Sequence, residues 1–233
     1  MTLPRSVYAE KLREFPDIAF GDGAAFQFRG GWGDFFRQRL GPAFDGRVIF
    51  EIGCSDAAYI SRIAAKFPVT GFVGLDWKCK ALYDGAQRVT DLGLNNIALL
   101  RGRGQEVLKI FADGEIDEIW VFHPDPCDRE IELKNRLIGE PFLGDVHRVL
   151  RSRASVLALK TDHPGYHQWV LGLFDVAEIR GRFEMAMNSA NYWHDPAALA
   201  HTSGRCFSGE RTFYESRFIK KRLPIYYLEM RKK

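Results

Sequence analysis

RVIFEIGCSDAAYISRIAAKFPVTGFVGLD, residues 47–76, carries the reading of the fold. Arg47 to Ile52 has the apolar run of a buried strand. From about Asp56 a helical pattern follows, in which Ala57, Ile60, Ala64 and Phe67 share one face, and Gly71 to Leu75 is the next short apolar run. The same alternation extends outward: a helix over Lys80 to Leu92, a strand at Ile97 to Leu100, a short helix near Glu106 to Phe111 and a strand at Glu118 to Phe122. A helix around Phe142 to Leu150, a strand at Ser155 to Leu159 and a helix from about Tyr166 to Phe174 complete it. Continuous apolar strands separated by helices predict an α/β fold, a doubly wound and mostly parallel sheet covered on both faces, because each parallel crossover needs a helix. Leu223 to Met230 (LPIYYLEM) is strand-like with no helix after it, which predicts an antiparallel strand near the sheet edge.

The composition agrees. The chain has 233 residues, 33 basic and 30 acidic side chains and 46% hydrophobic residues, an ordinary globular balance. One domain over residues 46–233, preceded by an aromatic and basic arm over residues 1–45, is expected. FQFRGGWGDFFR (residues 26–37) reads either as a cap whose aromatics pack on the sheet or as an arm that contacts RNA. Ala190 to Gly209 reads as a surface loop. No apolar run reaches the roughly 18 residues that span a bilayer, and charges stand where a signal peptide would carry its apolar stretch. A cytoplasmic protein without membrane contact is expected. Cys54, Cys79, Cys127 and Cys206 form no C-x-x-C pair, and the histidines form no metal-binding motif, so reduced thiols and no metal are expected. Residues 1–179 hold 22 basic and 25 acidic groups, whereas residues 180–233 hold 11 and 5. That basic end suits a polyanion, or is a solvated fringe.

In an open α/β sheet a ligand sits at the carboxyl ends of the strands, where strand order reverses. The first strand ends in Glu51, Ile52 and Gly53, and a glycine there lets the backbone turn and approach a ligand. The second ends in Asp76, which either accepts the hydroxyls of a ribose or caps the next helix. The fourth runs into His123-Pro124-Asp125-Pro126, where two prolines hold a carboxylate at the mouth of the site. Arg129, Lys134 and Arg136 follow at a spacing suited to phosphate or a base edge, or to a solvated face. The fifth strand ends in Lys160-Thr161-Asp162-His163, and Arg211 to Glu215 (RTFYE) precedes the final strand.

In this order, E-I-G, G-L-D, P-D-P, K-T-D and T-F-Y-E resemble the bacterial tRNA (guanine-N7-)-methyltransferases, over roughly residues 45–230. The resemblance implies a Rossmann-like sheet, S-adenosylmethionine as cofactor, tRNA as partner and methyl transfer to guanine N7. It implies that Glu51, Gly53, Asp76, Trp77, Arg103 and Asp125 hold the cofactor and that Asp125 is catalytic. Arg129, Lys134, Arg136, Asp162, Thr212, Tyr214 and Glu215 would bind substrate. The family pattern has two more glycines where this chain has Ser55 and Ala57, an acid where it has Arg103, and an aromatic where it has Cys127. Those departures keep two other readings in view: a methyltransferase with another acceptor, and a catalytically degenerate RNA-binding or partner protein. A monomer and a homodimer fit the sequence equally.

Overall fold

The computed structural model describes residues 7–21 and 23–233. Its strands are β1 (Ala19–Phe20), β2 (Val48–Ile52), β3 (Gly71–Asp76), β4 (Ile97–Arg101), β5 (Glu118–Phe122), β6 (Val156–Thr161), β7 (Phe183–Ser189) and β8 (Tyr226–Lys232). They form one sheet in the order β1-β4-β3-β2-β5-β6-β8-β7. Neighbours pair in parallel except β8, which runs antiparallel to both β6 and β7. The chain builds outward from β2 through β3 to β4, then returns to the other side of β2 to place β5. The crevice between β2 and β5 is therefore the topological switch point.

The helices are α1 (Val7–Lys11), α2 (Trp32–Leu40), α3 (Ala58–Lys66), α4 (Cys79–Asp91), α5 (Val107–Ile110), α6 (Glu140–Val149), α7 (Pro164–Gly172), α8 (Ala177–Arg182), α9 (Pro196–His201) and α10 (Phe213–Lys220). Alternate residues of each central strand point to opposite faces. On one face Val48, Phe50 and Ile52 pack with Val146 of α6 and Val170 of α7. On the other, Ile49, Phe72 and Trp120 pack with Ile60 and Ile63 of α3 and Leu82 and Ala86 of α4. Both faces are covered, which is why these strands read as largely apolar runs, with Glu51 and Glu118 as buried exceptions.

Three features depart from the sequence reading. The stretch 1–45 contributes a strand: Ala19 and Phe20 pair in parallel with Leu99 and Leu100 at the sheet edge. β7 was not anticipated, because its burial does not alternate cleanly and it has a single neighbour with a register shift at Met185/Met187; β8 thus lies one strand in from the edge. Ala190 to Gly209 is not a surface loop. Tyr192, Ala198 and Phe207 are wholly buried, and Arg205 and His201 both bond the buried Glu229 of β8. Its polar residues looked solvated in sequence but are the partners of a charge inside the sheet.

The aromatics of the arm pack inward. Trp32 and Phe36 are fully buried, Trp32 Nε1 donates to Ile110 O at 3.0 Å, and the Glu115 carboxylate accepts the Gly30 and Trp32 amides. No helix of the described residues is long and apolar enough to cross a membrane. All four cysteines are free thiols, and no cluster of three or more potential metal ligands occurs among the described residues.

Candidate functional site

The carboxyl ends of β2, β3 and β4 build the first half of the site. β2 leaves the sheet at Gly53 with φ +88°, and Ser55 and Ala57 also take left-handed backbone, at +52° and +54°. That is the region glycine enters without strain. The two departures from the glycine pattern therefore fall where the loop still adopts the glycine conformation. Gly53 N and Cys54 N donate to Leu75 O at 2.7 and 3.0 Å, and Ser55 N donates to Asp76 Oδ2 at 3.0 Å. Asp76 Oδ1 accepts the Lys78 amide at 2.9 Å. Each Asp76 oxygen takes one backbone donor and keeps lone pairs for a diol. Trp77 beside it is half exposed.

Glu51 is buried at the end of β2, with Oε2 unpartnered among the described residues. Burial, reinforced by the Asp76 charge, pushes its carboxyl up to about 8, so at neutral pH it is chiefly protonated. A buried carboxyl with a vacant hydrogen-bonding position beside a left-handed glycine loop fits a polar cofactor edge. After β4, the Gly102 amide donates to Asp76 O at 3.1 Å, and the Arg103 amide donates to Glu106 Oε2 at 3.3 Å. The carboxylate at this corner is that of Glu106, not of residue 103. Its spacing, three residues on, would have been the sequence signal for it.

β5 and β6 build the second half. His123 (φ +54°) and Cys127 (φ +48°) are left-handed on either side of Pro124-Asp125-Pro126. Asp125 is exposed, and its Oδ1 accepts the Cys127 amide at 3.2 Å. Arg136 is turned inward: Nε donates to Pro126 O at 2.9 Å, and its guanidinium lies over the rings of Tyr166 and Trp169. It bolts the Asp125 loop down. Arg129 and Lys134 are exposed, Arg129 pairing with Glu132.

At the end of β6, Asp162 Oδ1 lies 3.1 Å from His123 Nδ1. Burial alone would raise the Asp162 carboxyl, but the His123 hydrogen bond and its own backbone outweigh that and hold it below the ordinary range. His163 Nδ1 accepts the Tyr166 amide at 3.0 Å, and its Nε2 lies 2.9 Å from Asp128 Oδ2, which ties the β5 and β6 loops together.

Lys160, fully buried at the same strand end, places Nζ 3.0 Å from Glu215 Oε1 and within 5.2 Å of four ring centroids, those of Phe122, Tyr192, Trp193 and Phe207. Burial lowers its ammonium; Glu215, which burial would raise, is held low by that ammonium and by the Thr212 amide. Thr212 and Glu215 form a reciprocal cap on α10: Thr212 Oγ1 accepts the Glu215 amide at 3.1 Å, and Glu215 Oε2 accepts the Thr212 amide at 2.7 Å. Glu215 Oε1 also accepts Trp193 Nε1.

The predicted set is thus divided. Glu51, Gly53, Asp76, Trp77 and the Arg103 corner gather at the β2–β3–β4 ends, with Asp125 and Asp162 at the β5–β6 ends. Tyr214 and Arg129 are open, whereas Arg136, Thr212 and Glu215 are tied into the protein. Lys160 and His123, which the sequence motifs K-T-D and H-P-D-P contain without giving either a role, and Glu106 carry structural weight. A cation ending the apolar run SVLALK was the available signal for Lys160.

Against known proteins, residues 45–228 match the family described as "Putative methyltransferase". The tRNA (guanine-N(7)-)-methyltransferase of Cytophaga hutchinsonii is 30% identical over 207 residues, 87% of this chain and 85% of that protein. Enzymes of the same name from Christiangramia forsetii (29%, 88% of this chain and 85% of that protein) and Oenococcus oeni (28%, 94% of each) are similar over nearly all of their length. Among solved structures, an antibiotic-related methyltransferase superposes with TM-score 0.58 at 17% identity, covering 86% of this chain and 94% of that one. A 16S rRNA methyltransferase, KamB, gives 0.56 at 14%, with the same coverage.

Proposed function

Since this chain belongs to the tRNA (guanine-N7-)-methyltransferase family, we propose that it transfers a methyl group from S-adenosylmethionine to N7 of a guanine in tRNA, in the cytoplasm. The observation that carries the reading is Asp125, an exposed carboxylate pinned between two prolines and two left-handed residues at the switch point beside the Gly53 loop. S-adenosylmethionine, when bound, supplies an electrophilic methyl on a sulfonium. Glu51, Gly53 and Asp76 would hold it, and the half-exposed Trp77 would lie along it.

Guanine N7 carries a free lone pair, so no residue has to remove a proton from it. What the protein must supply is alignment and charge. Asp125 would accept a hydrogen bond from the base and offset the positive charge that arrives on the ring. Arg129 and Lys134 would meet phosphate. The left-handed backbone at Ser55 and Ala57 counts against the degenerate reading, because the loop keeps its shape without the glycines.

The test is incubation with methyl-labelled S-adenosylmethionine and unmodified tRNA, with the product nucleoside identified by mass spectrometry. N7-methylguanosine is expected, with Asp125→Ala lowering kcat/KM at least about a hundredfold while the affinity for S-adenosylhomocysteine changes little. Unchanged turnover in Asp125→Ala, or methyl on another atom, overturns it.

A further inference from the structure

His123 is an unusual residue for its place. It begins the Asp125 loop in left-handed backbone (φ +54°), and its amide is anchored to Lys160 O at 2.7 Å. Its side chain is 95% buried, with 5% exposure. Nδ1 faces Asp162 Oδ1 at 3.1 Å, and Nε2, also buried, has no partner among the described residues. In the neutral tautomer that donates from Nδ1 to Asp162, the imidazole keeps a lone pair on Nε2. A buried acceptor without a donor is destabilising, by about 1–3 kcal/mol, and such orphans call for an explanation.

The His123 ring packs among aromatic side chains. The His123 ring lies 5.9 Å from Tyr214 and 6.0 Å from Phe218, centroid to centroid, the latter tilted by only 31°; Tyr214 and Phe218 are themselves stacked. Tyr214 is 51% exposed and Phe213 beside it 70%, so the outermost ring can turn about χ1 without disturbing the core. Packed against it is the His123 ring, whose Nδ1 meets the Asp162 carboxylate. Enzymes that modify a base take it out of the stack and read its Watson–Crick edge between aromatic faces. Guanine differs from adenine on that edge by presenting N1–H, a donor, where adenine has an acceptor.

We propose that His123, oriented by Asp162, is a specificity-determining residue whose Nε2 accepts the N1–H of the guanine being methylated, with Tyr214 as the stacking face. Asp162 then acts through His123 as a positioning residue as well as on the substrate. Reading the base by this edge leaves N7, on the opposite side of the ring system, clear for the methyl. The proposal rests on the guanine-methylating function above.

Two variants separate base reading from support of Asp162. His123→Gln keeps a group at the ε position that can accept; His123→Asn keeps a donor at the δ position toward Asp162 and loses the ε acceptor. The readouts are kcat/KM for tRNA, Kd for tRNA, and S-adenosylhomocysteine affinity by calorimetry as the check of an intact fold. The Gln variant is expected within about fivefold of the parent and the Asn variant down about tenfold to a hundredfold, with cofactor-product affinity unchanged in both. Asn equal to the parent while Gln falls, or both falling alike, overturns the proposal. In the unsubstituted protein, the 15N resonance of His123 Nε2 is expected to move upfield when tRNA binds, and a resonance that stays in place overturns it too. A parent that methylates no tRNA guanine defeats the functional reading, and the Kd order and the nitrogen shift still decide the role of His123.

Discussion

At Ser55 and Ala57 the side chains are those of ordinary residues and the backbone is that of glycine. Left-handed backbone costs a non-glycine residue about 1–2 kcal/mol, and glycine returns part of that through its greater freedom when unfolded. Exposed Ser55 tests the balance: Ser55→Gly is expected to gain up to about 1 kcal/mol and Ser55→Val to lose about 1–2, by urea unfolding. Glu51 gives a pH signature. Its carboxyl is held at about 8 in the fold against 4.5 in the free chain, so between these values the native state keeps a proton that the unfolded chain releases. Its contribution is full below about pH 4.5 and is lost as pH rises through about 8. Glu51→Gln should remove that slope, leaving the variant progressively more stable than the parent from pH 5 to pH 9, by a few kcal/mol at the upper end. Equal pH profiles in urea titrations would show that Glu51 is ionised inside the fold.

Among elements, the contact of α2 with β3 runs through a missing side chain. A Cβ on Gly71 would stand 2.4 Å from the Phe36 ring, which is wholly buried. Gly71→Ala should therefore cost about 1–3 kcal/mol or more, and near-ultraviolet circular dichroism should report the displaced aromatics of the arm. A variant as stable as the parent would mean that α2 can shift at no cost. The same comparison shows what was legible. The strand runs at 48–52, 71–76 and 118–122 were plain because both faces of each strand are covered, so apolar residues fill nearly all of each and the carboxylates Glu51, Asp76 and Glu118 stand at or next to a strand end. β1 is two residues long and β7 is an edge strand, and neither writes a pattern that a period of two can catch. The Ala190–Gly209 segment was misread because Arg205 and His201 look like surface residues until Glu229 is placed against them.

For the whole molecule, the +6 excess of residues 180–233 falls partly on one place: Arg217, Lys220, Lys221 and Arg222 are all exposed, on or just after α10, the helix whose first turn carries Tyr214. Binding to tRNA should weaken linearly in log salt, and replacing Lys220, Lys221 and Arg222 by Ala should reduce that slope by about two to three. An unchanged slope, read by fluorescence titration at several salt concentrations, would remove this face from the contact with nucleic acid.

The sequence by itself determined the mostly parallel sheet and the positions of Glu51, Asp76, Asp125 and Asp162 at strand ends, because periodicity and local motifs depend on neighbours along the chain; the strand order, and with it the switch point between β2 and β5, came from the structure. Only the tertiary structure decided which of the candidate groups are open. Arg136 stacks on Tyr166 and Trp169, Glu215 closes on Lys160, and Asp162 meets His123. Those partners are 30 to 55 residues away in the chain, and whether a polar side chain faces solvent or a buried counter-charge depends on what the fold brings beside it.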